Sequence, residues 1–129
     1  MTSAIDRMIE SVRSRISLVD PSAARGLHAD GGLLVDIRPE AQRSRFGRIP
    51  GAVAIERNHL EWRLDPTSAH RHPAAVEHRG PIVVFCQEGF ASSLAVATLG
   101  ELAMSDVHDL AGGFEAWAAA GLPVERDIV

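Results

Sequence analysis

The stretch 81–94, Pro-Ile-Val-Val-Phe-Cys-Gln-Glu-Gly-Phe-Ala-Ser-Ser-Leu, restricts the fold more than any other part of the chain. Its run Ile82–Phe85 is β-branched and aromatic, which reads as a buried strand. Gly89 opens the following loop to dihedrals that other residues avoid, and Ser92 or Ser93 is placed to cap the apolar segment beyond it. That segment, Leu94 to Met104, is apolar on nearly every side, broken only by Thr98, Gly100 and Glu101. A helix of this kind must be covered on most faces. The only cysteine, Cys86, stands where strand passes into loop. A thiol in that place is ringed by loop N–H groups and faces the positive end of the next helix, two effects that favour thiolate and attract anions. Cys86 is therefore a candidate nucleophile.

Strand and helix signals alternate along the rest of the chain. Ile5, Met8, Ile9, Val12 and Ile16 fall at helical spacing with Asp6, Arg7, Glu10 and Arg13 between them, and Thr2 or Ser3 precedes as a cap. Residues 1–16 are expected to form an amphipathic helix packed on one domain made of residues 17–129. A short edge strand is expected over Ile16 to Val19. Asp20-Pro21 then starts a brief helix through Ala23, Ala24 and Leu27. Leu33 to Arg38 reads as a central parallel strand whose end meets polar loops, Val53 to Ile55 as a third strand, and Val107 to Leu110 as the last. Between them Pro39 to Arg45, His59 to Trp62 and Ala74 to Glu77 suit short helices, with Leu60, Trp62 and Leu64 as anchors. Phe114, Trp117 and Ala118 give one face of a closing helix, with Gly121 as its left-handed cap. This alternation implies an α/β domain with a mostly parallel sheet covered by helices on both faces.

Composition removes several function classes. The net charge is −4 and the 13 basic residues are scattered, so no nucleic-acid footprint is present. Residues Met1 to Glu10 hold no unbroken apolar core and nothing approaches membrane-spanning length, so neither a secretory leader nor a membrane partner is expected. A single cysteine cannot make an internal disulfide and suits a reducing compartment, the cytoplasm. His70, His72 and His78 lack a carboxylate or thiolate at ligand spacing, so no metal and no other cofactor is expected.

In open α/β sheets, sites form beyond the carboxyl ends of the strands. Asp36 to Arg38, Arg57, and Cys86 to Ser92 should meet at that edge. For Asp36 an ion pair or a structural cap is the expected role. Arg38 stands between such a pair and contact with a substrate.

The motifs Asp36-Ile37-Arg38, Gly47 to Ala52 (Gly-Arg-Ile-Pro-Gly-Ala), Cys86 to Ser92, and Gly112 to Trp117 with Gly121 to Val124 occur in an order that resembles the rhodanese family of single-domain sulfurtransferases. The resemblance covers almost all of the chain after about Ser17. It implies a rhodanese-like fold, a five-stranded sheet between helices. It also implies that Cys86 takes sulfane sulfur from a donor as a persulfide and passes it to a thiol or cyanide acceptor. The candidates for holding the donor are Gln87, Glu88, Gly89, Phe90, Ala91 and Ser92 of the loop, with Arg38 and Arg57 from neighbouring segments. Many members that use thiosulfate carry an arginine five residues after the cysteine, where this chain has Ala91, and Glu88 adds a charge that repels a dianion. A protein persulfide or another small sulfur compound is therefore an alternative donor to thiosulfate.

Other chemistries fit less well. With no second cysteine, the sulfur must leave to an external acceptor, which suits a transferase and disfavours a disulfide oxidoreductase. A cysteine phosphatase of similar loop style needs an arginine where Ser92 stands, and no Gly-x-Ser-x-Gly elbow supports a serine hydrolase. The alternative kept open by Glu88 and Ala91 is a non-enzymatic persulfide carrier or a docking module on the same fold.

Overall fold

The computed structural model describes residues 2–126. Its centre is β4 (Ile82–Phe85), buried at all four positions. Parallel strands flank it on both sides: β2 (Leu33–Asp36) and then β3 (Val53–Ala54) on one, β5 (Val107–Leu110) and then β1 (Ser17–Val19) on the other. The sheet thus runs β1-β5-β4-β2-β3, with every pairing parallel. Because alternate residues of a strand point to opposite faces, β4 feeds two cores. Val84 and Cys86 join Val35, Ile55, Leu60 and Leu99 on one face, and Val83 and Phe85 join Leu34, Ile49, Phe114 and Trp117 on the other. Each fully buried aliphatic or aromatic side chain of this size contributes about 1.5–3 kcal/mol, set against the entropy of ordering it.

The helices are α1 (Ala4–Arg13), α2 (Pro21–Ala29), α3 (Glu40–Phe46), α4 (Leu60–Leu64), α5 (Pro73–Val76), α6 (Ala91–Glu101) and α7 (Gly113–Ala119), with a 3-10 turn over Arg57–His59 leading into α4. Ser3 caps α1 through a reciprocal pair of bonds with Asp6, and Asp20 caps α2 ahead of Pro21. Helix α6 packs on β4 and β5, and α1 packs on α6 through the buried Ile9 and Val12. The apolar character of α6 on all sides follows from this double cover.

Several boundaries differ from the sequence expectation for identifiable reasons. Strand β2 stops at Asp36 rather than Arg38, because the Asp36 carboxylate takes the Arg38 N–H at 3.0 Å and turns the chain. Helix α6 ends at Glu101 rather than Met104, and Ala103 lies in the left-handed region at φ 59°. Trp62 is no anchor. On a helix of five residues Leu60 and Leu64 share the inward face, which leaves Trp62 on the other side at 58% exposure. Ala118 is likewise exposed, and Phe114 and Trp117 carry the inner face of α7. Among the described residues no helix is long and apolar enough to cross a membrane.

Candidate active site

The segment after β4 closes around a sulfur atom. Cys86 is 8% exposed, and its Sγ accepts the Gly89 N–H at 3.1 Å and the Ser92 N–H at 3.4 Å. Helix α6 begins at Ala91 with no side chain capping it, so the thiol sulfur fills the place expected of Ser92 or Ser93 as acceptor for a first-turn amide. The two serines instead lie inside the first turn with both hydroxyls turned to Asp109 of β5.

The loop's carbonyls are drawn the other way. Phe114 N–H donates to the Cys86 carbonyl at 2.9 Å and Glu115 N–H to the Gln87 carbonyl at 3.0 Å, both from the first turn of α7. The Gly89 carbonyl accepts from Arg13 Nη2 at 2.8 Å and from Ser93 Oγ at 3.1 Å. With these carbonyls held outward, amides converge on Sγ, the polarity that an anionic sulfur requires. This close crossing depends on glycine. At Gly113, with φ 63°, a Cβ would sit 2.5 Å from the Cys86 carbonyl oxygen.

Beyond Sγ opens a cleft of about 520 Å³. Of the residues expected at the site, Cys86, Gln87, Glu88, Phe90, Ala91, Arg38 and Arg57 line it, while Gly89 and Ser92 contribute their amides from beneath. Ile37, Pro39, Gln42, Glu56 and Asn58 complete the walls, and none of them was singled out from the sequence as a site residue.

The two arginines differ from expectation. Arg38 reaches the cleft wall, but its guanidinium is fully buried and bonded to both oxygens of Asp36, to Gln87 Oε1 at 2.9 Å and to the Gly47 carbonyl at 2.8 Å. It also lies over the Phe114 ring, 4.2 Å from the centroid. Its role as a donor-binding arginine is therefore corrected. Arg38 and Gln87 tie the loop to β2 and to the Gly47 turn, and Asp36 is the structural ion-pair partner. Arg57 stays on the cleft wall, one-third exposed, with Nη1 bonded to both carboxylate oxygens of Glu61. The Glu56, Glu88 and Arg57 side chains thus give the cleft mouth no surplus of positive charge.

Two residues behind the loop were missed. Asp109 is fully buried, and burial raises its carboxyl above the ordinary range against the lowering effect of the Ser92 and Ser93 hydroxyls and of Arg13. Arg13, read as part of the polar face of α1, also bonds Ser93 Oγ through Nε at 3.1 Å. An ionisable residue on a short inward strand was the available signal for Asp109. For Arg13 there was none, since its partners lie 76 and 80 residues away.

The model of the rhodanese-like domain family matches residues 20–120. The chain belongs to the rhodanese-like domain family. Among its relatives, the thiosulfate sulfurtransferase GlpE of Ectopseudomonas mendocina (strain ymp) is 33% identical over 106 residues, which span 82% of this chain and 88% of that one. GlpE of Pseudomonas savastanoi pv. phaseolicola (strain 1448A / Race 6) is 35% identical over 101 residues, 78% of this chain and 86% of the relative. A solved structure from Rhodopseudomonas palustris CGA009, described as a protein of unknown function and possible tyrosine phosphatase, superposes with a TM-score of 0.84 at 34% identity, over 97% of this chain and 96% of that one. The rhodanese fold expected from the motifs is the one observed, and the family includes sulfurtransferases.

Proposed function

We propose that the protein is a sulfurtransferase in which Cys86 carries sulfur as a persulfide. The observation that carries this reading is the convergence of the Gly89 and Ser92 amides on Sγ at the floor of an open cleft. In the first half-reaction the Cys86 thiolate attacks the sulfane sulfur of a donor. The new S–S bond forms as the donor's own bond to that sulfur breaks, and its electron pair leaves with sulfite or a thiolate. The terminal sulfur of the persulfide is anionic, and the loop amides suit that charge. In the second half-reaction a thiol or cyanide acceptor attacks the terminal sulfur, and Cys86 departs as thiolate. Cys86 is the only cysteine in the chain, so the acceptor is external. A lone free thiol also fits a cytoplasmic setting.

The donor is the less ordinary part. Ala91 occupies the position where an arginine would meet a thiosulfate dianion, and Arg57 is already paired with Glu61. A protein persulfide or a small sulfur compound of lower charge suits this cleft better than thiosulfate. The description of the Rhodopseudomonas palustris protein favours a second reading, a cysteine phosphatase. Against it, Ser92 replaces the arginine that would bind phosphoryl oxygens, and Arg38 is held by Asp36.

The test is intact mass after incubation with thiosulfate, with mercaptopyruvate and with a persulfide-loaded desulfurase. One added sulfur on the wild type and none on Cys86→Ala is expected. If no donor adds sulfur, the reading is wrong. Hydrolysis of an aryl phosphate that depends on Cys86 would favour the phosphatase. Sulfur loading without transfer to cyanide or to thiols would reduce the enzyme to a carrier.

A further inference from the structure

A chain of hydrogen bonds runs from the thiol into the protein. Cys86 Sγ donates to Ser92 Oγ at 3.3 Å, and Ser92 Oγ donates to Asp109 Oδ1 at 2.6 Å. The other carboxyl oxygen, Oδ2, lies 2.5 Å from Ser93 Oγ. All three partners of Cys86 in this chain are fully buried.

Counting protons makes the cluster unusual. Ser93 Oγ already receives the Arg13 Nε–H and has one proton of its own, yet it faces two acceptors, the Gly89 carbonyl and Asp109 Oδ2. An ionised Asp109 leaves one of those contacts without a hydrogen. A proton on the carboxyl satisfies both, with Asp109 donating to Ser93 and Ser93 donating to Gly89. The carboxyl therefore binds a proton readily, and its other oxygen, Oδ1, is linked through Ser92 to the Cys86 thiol.

We propose that Asp109 is a positioning residue for Cys86: through the Ser92 hydroxyl, carboxyl and thiol hold one proton between them, and Cys86 becomes thiolate by passing its proton inward rather than to solvent. This rests on Cys86 being the nucleophile described above. The Cys86 S–H bond breaks as Ser92 takes that proton and yields its own to Asp109 Oδ1. Nothing is oxidised or reduced, and the charge of the group stays constant. When Cys86 leaves the persulfide as thiolate, the proton returns along the same path.

The surroundings agree with a shared proton. From α6, Asp109 meets the neutral Ser92 and Ser93; from α1 the charged group set against it is Arg13, which bonds Ser93. Its neighbours in register, Leu18 on β1 and Val84 on β4, bring no charge. His108 on its own strand is bonded instead to Ser17 Oγ and to Asp106, each at 2.7 Å. Glu88 lies on the exposed side of the loop. Burial raises the Asp109 carboxyl, which brings it nearer to the range of a thiol.

A pair coupled in this way loses its protons in two macroscopic steps. The test is the rate of Cys86 alkylation by iodoacetamide across the acid to alkaline range, followed by mass on the intact chain. The wild type should show two rises separated by a level span of about one pH unit or more. Asp109→Asn should show a single rise, and Ser92→Ala should shorten or abolish the level span. A single rise in the wild type overturns the proposal, whatever the variants do. So does a two-step profile that persists in Asp109→Asn. Alkylation needs no sulfur donor, so the two readings fail separately: a two-step profile in a protein that never accepts sulfur would keep the relay and discard the transferase. Sulfur loading with a single rise would do the reverse.

Discussion

The side of the Cys86 loop that faces the protein and the side that faces the cleft are made differently. Behind the sulfur, Asp109, Ser92 and Ser93 are buried and bonded to one another or to the Gly89 carbonyl, and the buried Arg38 holds the Gln87 side chain. In front of it, Glu88, Phe90 and Ala91 are exposed, and Phe90 presents an apolar ring at 55% exposure. The rear holds the sulfur in one geometry and leaves little latitude for substitution. The front makes fewer commitments, the Phe90 ring meeting the Arg13 guanidinium at 5.2 Å, so its side chains can change without disturbing the amides that hold Sγ. The same separation explains how the amides around Sγ form with alanine, not a charged side chain, at position 91.

Breaking the rear should have the largest effect. Arg38→Ala leaves the Asp36 carboxylate buried without its partner, a loss of about 3–5 kcal/mol in stability measured by urea unfolding. A loss below about 1 kcal/mol would mean that the rear is far less rigid than its bonds suggest. Next comes the pH dependence of Asp109. Its folded carboxyl titrates above the unfolded one, so the folded state binds the extra proton. Its contribution to stability is therefore full below the ordinary carboxylate range and is lost as pH rises through the elevated folded value. Wild type should lose stability relative to Asp109→Asn over that window, and a difference that stays flat or reverses would contradict the assignment.

Changes at the front should alter the choice of donor and leave the fold intact. Ala91→Arg adds a positive charge at the cleft mouth and should raise thiosulfate turnover by about fivefold, the equivalent of ~1 kcal/mol of attraction at an exposed site. Unchanged or lower turnover would show that position 91 does not reach the donor. Glu88→Gln, which only removes repulsion, should raise the same rate by about twofold and lose that advantage at high salt. A salt-independent gain would point to a change in loop shape instead of charge.

The features that depend on neighbours in the chain were readable before the structure. Ile82–Phe85 followed by Cys86 and Gly89 gave strand, loop and helix in the right order, and the Asp20-Pro21 start of α2 was plain. Readings failed where a partner comes from far away. Ser92 looked like a cap because serine before an apolar helix often is one, but the cap position was taken by a sulfur and the hydroxyl by a carboxylate on another strand. Arg38 looked equally suited to bind substrate or to pair, and only the approach of Gln87 and of the Gly47 turn decided it. Trp62 failed for a local reason: five helical residues have one inward face, and two leucines occupied it.

The tie from Arg13 has a mechanical meaning. The family pattern begins at residue 20, while Arg13 lies before it, at the end of a ten-residue helix that carries none of the chemistry. Both Arg13 hydrogen bonds end on the far side of the loop from the cleft, at the Gly89 carbonyl and the Ser93 hydroxyl, and its guanidinium also lies over the Phe90 ring, 5.2 Å from the centroid. Helix α1 therefore works as a clasp. A shift of α1 by the length of a hydrogen bond would release the loop from behind, leaving the cysteine in place but slackening the two amides that meet its sulfur.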